Sequence, residues 1–169
     1  MPEYGYSYKT NGLCAKAQLY DIDASFKDLS QVCSAIKGKP TDVALKFLND
    51  VKKMEKPVVY RKFNKKLGHR SELGGKKGRY PKKAAGIVLQ VLKNAIANAE
   101  FMGIVHPYVK HACANKQSIF YRIAPKGRLM RSNYETARVE IILEEMPEDM
   151  LKKLEAKKTK KQEKKIRGE

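Results

Sequence analysis

Acidic residues are scarce in this sequence: 18 Asp and Glu stand against 36 Lys and Arg, for a net charge of +18. A compact fold holding that surplus repels itself, so a polyanion is the expected partner rather than a merely soluble existence. Long apolar runs are missing too. The stretch Ile87–Leu92 is interrupted by Gln90 and is far too short to span a bilayer, although an anionic membrane surface would also attract the charge. Residues 1–16 carry Glu3 and three tyrosines but no apolar core, which speaks against a secretory peptide. Cysteine is sparse. Cys14, Cys33 and Cys113 are an odd, widely spaced set, which argues against a disulfide framework and for a reducing, cytosolic setting. Their expected role is as small buried hydrophobes. Internal repeats are absent.

Reactive constellations are lacking as well. Gly74, Gly75 and Lys76 approximate a phosphate loop, but Arg70 stands where the first Gly is required and Lys77 where Ser or Thr is required. His106 and His111 are an odd number of residues apart, which puts them on opposite strand faces. His111 and Cys113 share a face, yet two ligands do not make a zinc site, so no metal and no cofactor is expected. No acidic pair sits in an apolar context suited to acid–base work. The sequence does not read as an enzyme.

What is present is one strand pattern, three helical patterns and then two further strand patterns. Leu13 to Asp23 suit a strand. Ser25 as N-cap and Gly38 as a left-handed stop bracket a helix with Phe26, Leu29, Val32, Cys33 and Ile36 at helical spacing. A second helix starts near Thr41, with Ala44, Leu45, Phe47, Leu48, Val51 and Met54 on one face, and is expected to end at Pro57. A third is bracketed by Pro81 at its first position and Gly103, about 22 residues apart by the capping signals. Its apolar side is Ala84, Val88, Leu92, Ala95, Ala99 and Met102, widened by Ala85, Ile87, Leu89, Val91 and Ile96, as for a central helix. After Gly103 the period becomes two. Val109, His111 and Cys113, then Val139, Ile141 and Leu143, are expected on the buried face of two antiparallel strands. The class is α+β: three helices packed on a small antiparallel sheet, with a long projecting β-hairpin. One domain spans residues 1–145, including a basic loop over 57–80 and the hairpin over 112–138, and a charged tail follows over 146–169.

Charge is segregated to the irregular segments. The loop carries Arg61, Lys62, Lys65, Lys66, His69, Arg70, Lys76, Lys77 and Arg79, with Glu72 its only acid, and Lys82 and Lys83 open the third helix. The hairpin carries Lys116, Arg122, Lys126, Arg128 and Arg131, interleaved with Phe120, Tyr121 and Tyr134, and its tip is placed at Ala124, Pro125, Lys126, Gly127 and Arg128. Lys and Arg neutralise phosphates, Tyr and Phe stack on unpaired bases, and Arg does both. An isolated two-stranded ribbon is marginal in water, so the hairpin's stability should come from its partner. RNA contact is the preferred reading. The alternatives are an RNA-processing enzyme, which needs a reactive set the chain lacks, and a non-ribosomal RNA-binding or nucleic-acid-compacting module, which has little use for such an arm.

With these motifs placed, the sequence resembles the large-subunit ribosomal protein family numbered twenty-two in bacteria, in its archaeal and eukaryotic form. The resemblance runs from Tyr8 to about Glu145. It is most specific at Gly78-Arg79-Tyr80-Pro81-Lys82-Lys83-Ala84 and in the long helix at Asn94, Ala95, Asn98, Ala99 and Glu100. Pro57 to Asn64 with Gly68-His69 resembles the insertion of the archaeal and eukaryotic branch. Pro125-Lys126-Gly127-Arg128 resembles the hairpin tip, and Val139 to Leu143 the returning strand. The resemblance implies a non-catalytic constituent of the large subunit, cytoplasmic on the ribosome, that binds large-subunit rRNA. It places the globule near the peptide exit and the hairpin along the exit tunnel, near neighbouring ribosomal proteins and the nascent polypeptide. The segment Gln117 to Tyr121 departs from the pattern in being less basic than family members.

Overall fold

The computed structural model describes residues 5–9, 12–130, 132–147 and 150–151. Most of the charged tail, and Arg131 of the hairpin, lie outside the described residues. The elements in chain order are β1 (Cys14–Ile22), α1 (Phe26–Ile36), α2 (Thr41–Lys52), β2 (Val58–Val59), β3 (His69–Arg70), β4 (Lys76–Arg79), α3 (Lys82–Phe101), β5 (Pro107–Phe120) and β6 (Tyr134–Glu145). They form an α+β fold with two antiparallel sheets, ordered β1-β6-β5 and β2-β4-β3.

The helices lie on one face of the first sheet. Ala15 and Ala17 of β1, Val109, Ala112 and Ala114 of β5, and Val139, Ile141 and Leu143 of β6 share one core with Leu29, Val32, Cys33, Ile36, Ala44, Leu48 and Val51. The wide apolar surface of α3 occupies its centre: Ala84, Ala85, Val88, Leu89, Val91, Leu92, Ala95 and Ala99 are all buried. Each fully buried Leu or Val contributes about 1.5–3 kcal/mol by leaving water. The small alanines let the helix approach β1 and β6 closely.

Four details differ from expectation. The second helix stops at Lys52, not Pro57, because Met54 adopts φ 64° and stands exposed while the amides of Glu55 and Lys56 turn back to the carbonyl of Asp50. Pro81 is the N-cap of α3, one residue before its expected place. In β5 a bulge at Lys110 opposes two residues to one on β6, since Val109 pairs with Leu143 and His111 with Ile142. A one-residue insertion flips the face. Ala112 and Ala114 therefore point into the core, and His111 and Cys113 do not follow Val109. Finally, β6 is buried on both faces, as befits the central strand: Glu140 and Ile142 are as inaccessible as Val139. Residues 5–9 lie over the outer face, where Tyr8 stacks on His111 and the Lys16 ammonium sits 5.6 Å from the Tyr6 ring.

Candidate nucleic-acid interface

The segment over 57–80 is folded rather than simply extended. Its three short strands are drawn together by Gly78, which is buried and passes so close to Val58 that a Cβ there would lie 2.7 Å from the Val58 carbonyl oxygen. Two polar anchors in the body of the protein hold it. Gln31 on α1 is 2% exposed and its Oε1 accepts from the amides of Arg61 (3.0 Å) and Lys62 (3.3 Å). Tyr60, 3% exposed, donates its hydroxyl to Asp28 at 2.7 Å. Burial, and then that hydrogen bond, push the Tyr60 phenol well above its ordinary range, so it stays a donor. Asn64 caps the following turn by donating to the carbonyl of Tyr60. Phe63 packs edge-on to Phe26, and Leu67 is buried beneath.

This scaffold leaves the cations outside. Arg61, Lys62, Lys65, Lys66, His69, Arg70, Lys76, Arg79 and Lys82 are exposed, and Lys77 is half-buried. None of them forms a salt bridge with another described residue, although Asp50, Asp23, Glu144 and Glu135 each pair with a lysine. Glu72, the loop's one acid, is occupied internally by the Tyr80 hydroxyl at 3.1 Å. Arg70 lies 5.4 Å from the Tyr80 ring, and His69 is held through Nδ1 to the Gly75 carbonyl. Lys82 and Lys83 sit in the first turn of α3, which contains no acid. Cations there oppose the helix dipole and cost a few tenths of a kcal/mol each, a cost an incoming phosphate would remove.

The hairpin is the second basic element. Strands β5 and β6 stay paired out to Phe120 and Tyr134, with a further bridge between Ile123 and Leu129. The Ala124 amide donates to the Arg128 carbonyl at 2.7 Å across a tight turn at Pro125–Gly127, where Lys126 and Gly127 take φ of 66° and 72°. The tip is where the turn residues place it. Tyr121, Arg122, Lys126 and Arg128 are exposed, as are Ile123, Leu129 and Met130. At the hairpin base the two basic elements converge. Lys116 pairs with Glu135 at 2.6 Å and lies 5.6 Å from the Phe26 ring that contacts Phe63. Lys83 pairs with Asp23, and the neighbouring Tyr134 phenol is raised by burial and then by Asp23. Lys83, Lys116 and Tyr134 are thus tied into the body, while the tip cations stand apart.

The anchors Gln31, Asp28 and Tyr60 escape a sequence reading, because a polar residue on a buried helix face has no signature until its partner loop is known. The same holds for Glu140. That residue is 1% exposed, and its side chain meets those of Ser7, His111 and Cys113.

A family model described as Ribosomal protein L22p/L17e matches residues 17–144, most of the chain. The chain belongs to that family. It is 40% identical over 136 residues to the large ribosomal subunit protein uL22 of Methanocaldococcus jannaschii, covering 78% of this chain and 87% of that protein. It is 39% identical to the protein of the same name in Methanopyrus kandleri (78% and 86%) and 36% identical to that in Archaeoglobus fulgidus (83% and 94%). The resemblance to this family read from the sequence is borne out. As an L22p/L17e protein the chain is a structural, non-enzymatic ribosomal constituent, and the relatives that match it are large-subunit proteins. Among the described residues no helix is long and apolar enough to cross a membrane.

Proposed function

We propose that this protein binds large-subunit rRNA through two basic elements, the folded loop over 57–80 and the hairpin. Its globule sits near the peptide exit and its tip, Ala124 to Arg128, lines the exit tunnel beside neighbouring ribosomal proteins and the nascent chain. The observation that carries this reading is the pre-positioned set of exposed cations, Arg61, Lys62, Lys65, Lys66, Arg122, Lys126 and Arg128, without ion pairs among the described residues. Backbone anchors fix the loop, so its charges meet phosphate without first having to be ordered. The tip adds exposed Tyr121, Ile123 and Leu129, suited to stacking and apolar contact rather than to a water-facing turn.

The electrostatic test is the salt dependence of binding to large-subunit rRNA. The slope of log affinity against log salt should be about −0.7 to −0.9 per phosphate neutralised. Replacing Arg61, Lys62, Lys65 and Lys66 together by Ala should flatten it; an unchanged slope would remove the loop from the interface. The tunnel assignment has its own test. A photoreactive side chain at Lys126 should cross-link to a stalled nascent chain, and one at Lys46 on α2 should not. Equal labelling from both positions would withdraw the tunnel role.

A further inference from the structure

The outer face of the first sheet carries a cluster that the RNA interface does not use. His111 and Cys113 project side by side from β5, and Glu140 projects from β6 opposite Cys113. The ligand atoms of the three lie within 4.8 Å of one another. His111 Nε2 is 3.6 Å from Glu140 Oε1, and Cys113 Sγ is 2.8 Å from the same oxygen. Ser7 closes the group from the overlying segment. Its Oγ is 3.3 Å from His111 Nε2 and 3.5 Å from Cys113 Sγ, and it also contacts Glu140. A tetrahedral zinc ion with ordinary bond lengths separates its ligand atoms by about 3.3–3.5 Å. The His–Glu, Ser–His and Ser–Cys separations already match within about 0.3 Å, the Cys–Glu pair must open by about 0.7 Å, and the Ser7–Glu140 contact, the tightest of the group, must open by more than that as the ion enters.

We propose that His111, Cys113 and Glu140 bind one zinc ion, with the Ser7 hydroxyl at the fourth corner, pinning residues 5–9 to the sheet. One nitrogen, one sulfur and one carboxylate oxygen form a donor set that zinc takes readily. Glu140, 1% exposed, is costly to keep charged, and a divalent cation offsets that cost. Binding replaces the Cys113 S–H proton, which leaves to solvent. The imidazole coordinates through Nε2 and keeps its proton on Nδ1. In that tautomer Nδ1 is a donor, so the exposed Lys37 ammonium, 3.5 Å away, turns outward to solvent.

The test is titration of the metal-stripped full chain with Zn2+ alone and, separately, with Co2+. The expected result is one equivalent bound, about one proton released, and a thiolate-to-cobalt charge-transfer band. Cys113→Ser should remove that band and weaken zinc binding by at least about 100-fold, more than the loss of an outer-shell partner causes. His111→Gln provides the same test at a half-buried position if the serine variant fails to fold. No zinc uptake, a cobalt spectrum without the thiolate band, or undiminished binding by the ligand variants would each overturn the site and show the cluster to be a hydrogen-bonded polar network only.

Discussion

Gln31→Ala separates the positioning of charge from the charge itself. The Gln31 carboxamide accepts from the amides of Arg61 and Lys62 at 3.0 and 3.3 Å and is 2% exposed. Removing it orphans two donors. A wholly buried orphan costs about 1–3 kcal/mol, but both residues are exposed, so water reaches their amides and about 1–2 kcal/mol in total is the better figure. Equilibrium urea unfolding should show that loss. The freed loop must then be reordered on RNA at about 1–2 kcal/mol per residue, partly offset by motion it retains when bound. Affinity for an rRNA fragment at fixed salt should fall roughly 5- to 30-fold. The salt slope should not change, because every cation remains. The four-alanine variant, by contrast, should flatten the slope. Unchanged affinity in Gln31→Ala would refute pre-positioning as the reason for the buried anchor. A flattened slope would show that the mutation removes phosphate contacts rather than their order.

Other predictions follow from packing and burial. Leu92→Ala, at the fully buried centre of α3, should cost about 2–5 kcal/mol in thermal or urea melts. Gly78→Ala should disrupt the small sheet, since its Cβ would press on the Val58 carbonyl, and proteolysis within 60–77 should accelerate. Deleting Ile119 to Met130 should leave the melt of the globule unchanged, because most of these side chains are exposed and none is in the core; unfolding would withdraw the hairpin's independence. The Cys113 thiol is pushed up to about 11, first by burial and then by its hydrogen bond to Glu140. A raised thiol pKa means the folded state holds a proton that the unfolded chain loses earlier. In the metal-stripped chain, stability from this group is therefore full below the ordinary thiol range and lost as pH rises toward 11, and urea midpoints should decline across that window. Cys113→Ser should make that decline shallower while Cys33 and the buried phenols keep titrating; an unchanged decline in the serine variant would contradict the assignment.

Elements with strong local signals were legible. The long apolar side of α3 repeats for five turns, and its bracketing by Pro81 and Gly103 needs no tertiary knowledge beyond a one-residue shift. The turn at Pro125 to Gly127 is likewise local, since Pro and Gly carry its conformation. The strand faces were harder to read. Alternation alone puts Val109, His111 and Cys113 together, and only the bulge opposite Ile142 and Leu143 reverses the last two. A bulge is a property of the strand pair, invisible in one strand. The loop over 57–80 looked irregular because its strands are two to four residues long and owe their order to Gln31 and Asp28, some thirty residues upstream. Glu140 looked like the solvent side of an alternating strand. Its burial comes from β6 being central and from the segment over 5–9 covering it.

Where the two basic elements go decides the protein's role. A cryo-electron-microscopy reconstruction of large ribosomal subunits carrying this protein tests that directly. It should show rRNA phosphates in ion-pair contact with Arg61, Lys62, Lys65 and Lys66, and the tip from Ala124 to Arg128 at the wall of the exit tunnel. A reconstruction with the 57–80 sheet facing solvent, or with the hairpin directed away from the tunnel, would contradict the account.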